Sequence, residues 1–465
     1  MQDFQLKNIT HSEIIDLLDS LAIDPEKKEE FGEVPTPVTL IDEMLDRLPK
    51  SIWKDHNRKW LDPATGIGSF QILVYERLMK GLQSWEPNIE KRHDHIIRSM
   101  LYMAEINPAS VKNVKKIFGP STNIIQGDFL KHDFSSTKFD IILGNPPFNA
   151  GQNVEDITKR GSGNQIWIDF VEKSLDLLSP SGFLLFLHPS GWRKPTTESS
   201  KTEGLFKKLA IDRQLEYLEI HNKADGVKIF GVQTRYDWYL LVNHPCNKKT
   251  EVKDESGKTQ NIDLREWVFL PNSEYPLIKR ILAGPNQPNI DIIYSRSQYA
   301  TDSSWTNEKE STKYKYPLIH STPKGEEPRY YWSNTMTPPM RDEYIQMFGK
   351  KKVIFGESGF HNNTVLDSEG KYGMTQGAMA IPFSIKKEGL RIKKAIESLE
   401  FAKIIEAMSF GNFRIDWRIF LFMKRDFYRY LGYSNQKNRK QIRITEKNKK
   451  KSKTKKYNKT SKINK

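Results

Sequence analysis

Four short segments put chemically capable groups at the ends of apolar runs. They are Asp62-Pro63-Ala64-Thr65-Gly66-Ile67-Gly68, Ala104-Glu105-Ile106-Asn107-Pro108, Gly127-Asp128-Phe129 and Asn145-Pro146-Pro147-Phe148. In the first, a strand delivers Asp62, and Gly66 and Gly68 let the backbone approach a ligand where a helix begins. The spacing is not G-x-G-x-x-G and no Lys-Ser/Thr pair follows, so neither a full dinucleotide fingerprint nor a P-loop is present. Glu105 ends the next strand, 37 residues past Gly68. A carboxylate there can accept two hydrogen bonds from ribose hydroxyls. At the third strand end, Asp128 can accept from an adenine amino group while Phe129 packs on the ring. A lone Glu before a turn is usually a surface residue. Three acidic strand ends in order, with a glycine turn at the first, describe a pocket for an adenosine-containing cofactor.

Asn145-Pro146-Pro147-Phe148 carries the most information. Prolines on both sides of a carbonyl leave the backbone little freedom and remove N–H donors, so the local carbonyls face the site. The Asn145 side-chain carbonyl and the Pro146 carbonyl can then accept both hydrogens of one amino group. Held that way, the nitrogen moves toward tetrahedral geometry, and its lone pair can attack a methyl group on sulfonium in line. No strong base is needed, because the proton becomes acidic once the nitrogen is methylated. Phe148 can stack on the base that carries the amine. A rigid proline turn is the plain alternative, and the three preceding acidic strand ends weigh against it.

The elements that must position these residues alternate. Strand signals in RKWLDP, SMLYMAEI, NIIQGDF, FDIILGNPPF, GFLLFLHP, LEYLEIHN and YDWYLLVN are interleaved with helical periodicity over residues 69–82, in PASVKNVKKIF and in NQIWIDFVEKSLDLL. Buried strands alternating with helices predict an α/β fold with a doubly wound, mostly parallel, Rossmann-like sheet, and a ligand beyond the carboxyl ends of its strands. Before it, HSEIIDLLDSLA reads as an amphipathic helix, and Pro35 and Pro37 lead into another over about Thr39 to Leu48. Past Pro245 the rhythm stops, and a C-terminal mixed α+β domain is expected. It contains a hairpin candidate, NTVLDSEGKYGM, turning around Asp367 to Gly370.

In their order these segments resemble the amino-methyltransferase family. DPATGIGSF is similar to its motif I, AEINP to motif II, QGDF to motif III and NPPF to motif IV. FGEVPTPVTLIDEML, upstream, resembles motif X, which implies that Thr36 lies by the methionine end of the cofactor. Motif X, then I, then IV, then a recognition region is the order of the gamma class of DNA adenine-N6 methyltransferases of restriction-modification type. KIFGVQTRYDWYLLV (228–242) resembles motif VIII and maps the aromatic that stacks on a flipped base to Phe230. A core aromatic preceding a strand is the competing explanation for Phe230.

The resemblance covers residues 31–243. It implies S-adenosyl-L-methionine as cofactor, held by Thr36, Asp62, Ala64, Gly66, Gly68, Glu105, Ile106, Asp128 and Phe129. Asn145, Pro146, Pro147, Phe148 and Phe230 are implied as the catalytic set. The implied partner is double-stranded DNA, whose target base leaves the helix. With 30 residues before the motif X segment, any restriction endonuclease is expected to be a separate chain. The same chemistry on cytosine N4, on RNA or on a protein glutamine stays open. Glutamine enzymes of this type carry N-P-P-Y and usually lack a large C-terminal domain.

Composition sets the frame. Of the formal charge of +15, residues 436–465 supply +13, with fourteen Lys or Arg against one Glu. That leaves +2 for the first 435 residues, so the body is nearly neutral. A run such as KNKKKSKTKK buries nothing and is expected to be a disordered tail, either merely solvated or attracted non-specifically to phosphate. Four segments are expected: an N-terminal helical segment (1–30), a catalytic domain (31–245), a target-recognition domain (246–435) and the Lys-rich tail (436–465). One cysteine, Cys246, excludes a disulfide framework, and the ten histidines show no metal-ligand spacing, so no metal is expected. No signal peptide and no membrane span are expected, which fits a cytoplasmic protein. His188 and Trp192 are expected to shape a loop at the end of the fifth strand. Trp332, Arg414, Trp417 and Arg418 are more plausibly core or surface residues than DNA contacts.

Overall fold

The computed structural model describes residues 6–20, 35–149, 165–196, 200–339, 343–358, 363–411 and 414–431. The expected Lys-rich tail and the 21–34 stretch lie outside them. Two compact units divide the chain, residues 1–272 and 273–465.

The first unit is a doubly wound α/β layer. In chain order it contains α1 (His11–Ser20), α2 (Val38–Leu45), β1 (Trp60–Asp62), α3 (Ser69–Gly81), α4 (Ile89–His95), β2 (Leu101–Glu105), α5 (Pro108–Phe118), β3 (Asn123–Gln126) and β4 (Phe139–Gly144). There follow α6 (Trp167–Leu177), β5 (Leu178–Pro189), α7 (Leu205–Ala210), β6 (Gln214–His221), α8 (Lys223–Phe230), β7 (Tyr236–Val242), β8 (Thr250–Lys253) and β9 (Thr259–Ile262). The strands form one nine-stranded sheet in the order β3-β2-β1-β4-β5-β7-β6-β8-β9. Strands β1 to β5 run parallel, whereas β7 is antiparallel to both β5 and β6. This is the mostly parallel α/β sheet expected from the alternating pattern.

Burial explains the element boundaries. The central strand β4 buries Phe139, Ile141, Ile142 and Leu143 completely, as a strand covered on both faces must. Asn107 opens α5 by accepting from Ala109 N, with Pro108 at the first helical position, and Gly119 follows its last turn. The sheet order reverses between β1 and β4, the kind of switch point at which α/β sheets bind ligands.

Two features bear on the boundaries of the first unit. The sheet of the first unit runs past Pro245: β8 pairs in parallel with β6, and β9 pairs with β8, so it continues to Ile262. Helix α1 packs into the first unit. Ile14 and Leu18 of α1 sit in the same apolar core as Leu73 and Tyr75 of α3, because an isolated amphipathic helix must bury its apolar stripe somewhere.

The second unit contains α9 (Tyr275–Ile281), β10 (Thr306–Asn307), β11 (Tyr316–Ser321), β12 (Arg329–Ser333), β13 (Lys352–Gly356), β14 (Thr364–Asp367), β15 (Gly373–Met374), β16 (Ala378–Pro382), α10 (Lys386–Ile396) and α11 (Leu399–Ala407). It is the mixed α+β architecture expected, with a four-stranded sheet β10-β12-β11-β15 and a three-stranded sheet β14-β13-β16. The expected hairpin is absent. Thr364–Asp367 pairs with Lys352–Phe355, while Gly373 and Met374 pair with Leu318 and Ile319 in the other sheet. The turn itself exists. The Asp367 carboxylate accepts from Lys371 N and Tyr372 N, and buried Lys352 also donates to it at 2.7 Å. That ion pair anchors the turn to β13, and the chain leaves for the second sheet.

Candidate active site

Asp62, Glu105 and the Asn145 loop all lie at carboxyl ends of neighbouring strands. The register sets Asp62 beside Met103, and Glu105 beside Gln126. Asp62 is 1% exposed and its Oδ1 accepts from Ala64 N at 3.1 Å. Burial, with the Glu105 charge adding to it, pushes the Asp62 carboxyl up to about 7 against the opposing Ala64 N–H. Gly144 makes room for this group. A Cβ at Gly144, where φ is +149°, would stand 2.9 Å from Asp62 Oδ1.

Glu105 organises the glycine turn. Its Oε2 accepts from Gly66 N at 2.7 Å and its Oε1 from Asn107 N at 2.7 Å. These two backbone donors orient the carboxylate. A Cβ on Gly66 (φ +54°) or Gly127 (φ +150°) would project into open space. Ile106, next to Glu105, is 56% exposed although apolar. Asp128 is half-buried, and its Oδ1 accepts from Leu130 N at 2.9 Å, closing its own loop.

Phe129 packs beneath its own loop. It is 2% exposed, stacks on Phe170 at 5.2 Å and lies beneath Lys173 Nζ at 5.1 Å. The Lys173 ammonium donates to the carbonyls of Leu130 and His132, so it pins the loop and the ring together. Phe129 therefore packs inward under the loop; the apolar side chain displayed at the strand ends is Ile106.

The Asn145 loop joins three expected residues. Asn145 Nδ2 donates to Thr36 Oγ1 at 3.2 Å. Thr36 is buried, held by the extended Pro35–Pro37 stretch before α2. Pro146 is buried, and Pro147 and Phe148 are partly buried. Phe148 meets Phe230 edge to face, with centroids 6.3 Å apart. Phe230 ends α8, whose first turn is fixed by an Asn222–Asp225 capping box and whose last turn closes on Gly231 at φ +72°. Tyr236, at 5.0 Å, backs Phe230 and is itself stacked on His221 at 4.4 Å. Phe230 is thus both a core aromatic and a neighbour of Phe148.

Some supporting residues were not anticipated. Arg193 and Asp237 are both fully buried. Arg193 Nε and Nη2 donate to the Asp237 carboxylate, Nη1 to the carbonyls of Leu270 and Pro271, and Nη2 also to Asn272 Oδ1. Trp192 Nε1 adds a bond to Asp237 at 2.8 Å. His188 is fully buried, stacked on Trp167 at 4.5 Å, and burial pushes its imidazole down to about 4. The turn after β5 is therefore a rigid block. An Asp inside the apolar run YDWYLLV was the available signal, since a buried carboxylate demands a partner. Elsewhere, Trp417 contacts Tyr294, Arg418 pairs with Asp416, and Arg414 pairs with Glu357.

Residues 71–230 match the family model described as the Eco57I restriction-modification methylase. The chain is 30% identical over 183 residues to the type II methyltransferase M.BstVI of Geobacillus stearothermophilus, covering 33% of this chain and 32% of that one. It is 28% identical over 162 residues to the type II methyltransferase M.PaeR7I of Pseudomonas aeruginosa, covering 30% and 28%. It thus spans about a third of the length of these curated relatives. In structure it is similar to the type IIL restriction-modification enzyme MmeI in complex with DNA, with TM-score 0.55, 12% identity, and 89% of this chain and 70% of that covered. The DrdV–DNA complex gives TM-score 0.52 at 11% identity, covering 91% and 58%. At such identities these structures speak to fold, a doubly wound, mostly parallel α/β sheet. Among the described residues, no helix is long and apolar enough to cross a membrane.

Proposed function

We propose that this chain transfers a methyl group from S-adenosyl-L-methionine to the N6 amino group of adenine in a specific DNA sequence, after the base has left the duplex. The observation that carries it is the Asn145-Pro146-Pro147-Phe148 loop, tied to Thr36 on one side and facing Phe230 on the other. The loop stands at the strand ends that also carry Asp62 and Glu105.

The residues present fit the cofactor. Open space beside Gly66 and Gly127 lets a ligand approach the backbone, and the oriented Glu105 carboxylate is the acceptor assigned to ribose hydroxyls. Exposed Ile106 suits an adenine face, and Asp128 an amino group. Thr36, Ala64 and Gly68 complete the expected contacts. Bound there, the cofactor supplies an electrophilic methyl group on sulfonium. The chain's own part is to orient the amine. Asn145 and the Pro146 carbonyl accept its hydrogens, which directs the lone pair and stabilises the positive charge that develops on nitrogen. Phe148 and Phe230 form the aromatic wall on which an extruded base stacks. The second unit is the sequence reader in this proposal, and duplex DNA is the substrate.

Transfer of tritium from labelled cofactor to duplex DNA, followed by nucleoside analysis, tests the proposal. N6-methyladenine is the expected product. N4-methylcytosine would preserve the mechanism and change the base, whereas label found only in protein or RNA would defeat the DNA assignment.

A further inference from the structure

Val227 and Val232 are 47% and 48% exposed, among the few large apolar side chains that the first unit shows to solvent. They flank Phe230, which ends α8 and meets Phe148. We infer that Val227 and Val232, exposed on either side of Phe230, form the wedge that enters duplex DNA and takes the place of the extruded base. This inference rests on the proposed function.

The position follows from helix geometry. Residues 223, 227 and 230 are spaced i, i+4, i+7, so Lys223, Val227 and Phe230 share one face of α8. That face runs from a cation, through an exposed valine, to the ring in the site. Past Phe230, Gly231, Val232 and Gln233 are all exposed and form a tip. Exposed Lys228 adds a second cation beside the valines.

The tip is rigid, as a wedge must be. The capping box fixes the start of α8, and Gly231 N donates to Val227 O at 2.9 Å at its end. Thr234 N donates to Val232 O at 2.8 Å. The helix presses directly on the following chain: a Cβ on Gly226 would meet Thr234 O at 2.0 Å. Two β-branched side chains, each with one dominant rotamer or few, therefore project from a braced turn.

Duplex DNA is the occupant that this chemistry fits. Extruding a base opens an apolar gap in the stack, and proteins that distort DNA fill such gaps with apolar side chains. The cations beside the valines complement the phosphates that border the gap. The valines lie one helical turn or less from Phe230, so the gap and the pocket for the base are adjacent.

The test compares the Val227→Ala/Val232→Ala double variant with the wild type on two duplexes containing the target sequence. One is fully paired; the other has an abasic site opposite the target adenine, so the base is already unpaired. On the paired duplex the variant is expected to transfer methyl roughly tenfold more slowly. On the abasic duplex it is expected to come within about threefold of wild type, because no paired base has to be displaced. A loss of equal size on both duplexes, or no loss on either, overturns the wedge. Failure of the wild type to methylate either duplex would instead overturn the DNA reading beneath it.

Discussion

The side-chain amide of Asn145 donates to the Thr36 hydroxyl across 3.2 Å, joining the loop after β4 to an extended segment 109 residues earlier. The bond determines how the amide is turned. With its nitrogen donating to Thr36, the amide oxygen is the atom that the proposed reaction assigns to the amine. Thr36 is held in place by two prolines and by burial, so the orientation is built into the backbone.

Thr36→Val keeps the shape of the side chain and removes the acceptor. A hydrogen bond of this kind is worth about 0.5–1.5 kcal/mol net, so single-turnover methyl transfer should fall up to about tenfold. Thr36→Ser, which retains the hydroxyl, should stay within about threefold of wild type. Equal rates in Thr36→Val and wild type would show that the bond does not orient Asn145.

Asn145→Ala should abolish methyl transfer and leave cofactor affinity largely intact, because Asn145 is assigned to the amine rather than to the adenosine. Orientation supplies several kcal/mol of barrier reduction, and an electrostatic partner roughly 3 kcal/mol more. Phe148→Ala should be milder, at about 1–3 kcal/mol, the worth of stacking on one base. Calorimetry with S-adenosylmethionine and tritium transfer to duplex DNA separate the two effects. Near-normal transfer by Asn145→Ala would defeat the mechanism.

Where burial and periodicity agree, the fold was legible in the sequence. PASVKNVKKIF folds as the helix expected from it, because Asn107, Pro108 and Gly119 mark both ends. The strand ends at Asp62, Glu105 and Gly144 were legible for the same reason, since apolar runs stop at polar or glycine residues. What local pattern cannot carry is long-range pairing. Nothing in NTVLDSEGKYGM reveals that Lys352 draws Asp367 toward β13 while Gly373 joins β11. The packing of Phe129 was hidden in the same way. Its neighbours Phe170 and Lys173 lie some forty residues on, and they turn the ring inward.

Arg193 and Asp237 form a buried pair with saturated geometry, so removing one partner should be costly. Arg193→Ala leaves the Asp237 carboxylate buried with Trp192 Nε1 as its remaining side-chain donor of those described. It also frees the carbonyls of Leu270 and Pro271. Loss of a buried partner typically costs about 3–5 kcal/mol. Urea denaturation should show a drop of that size, with catalysis falling in parallel as the turn after β5 loosens. A change under about 1 kcal/mol would mean that water reaches Asp237 and replaces the guanidinium.

Asp62 links the site to pH. Its carboxyl is pushed up to about 7 by burial, against about 3.9 in an unfolded chain. The folded chain therefore keeps a proton that the unfolded chain releases between about pH 4 and 7, and stability falls as pH rises through that window. Three pKa units correspond to roughly 4 kcal/mol at most, reached only above pH 7. Asp62→Asn removes the ionisation and keeps an amide oxygen for Ala64 N. Without cofactor, the variant should match wild type near pH 4.5 and melt at a higher temperature near pH 8. With cofactor the order should reverse. A cofactor cation held by Asp62, as proposed, would favour its ionised form, so wild-type affinity should tighten as pH rises from 6 to 7.5, while the variant binds weakly across the range. Melting curves of the two proteins at five pH values, with and without S-adenosylmethionine, contain both effects. If the two ligand-free proteins show the same pH dependence, Asp62 is already ionised in the folded chain, and the buried acid is not what sets the site's response to pH.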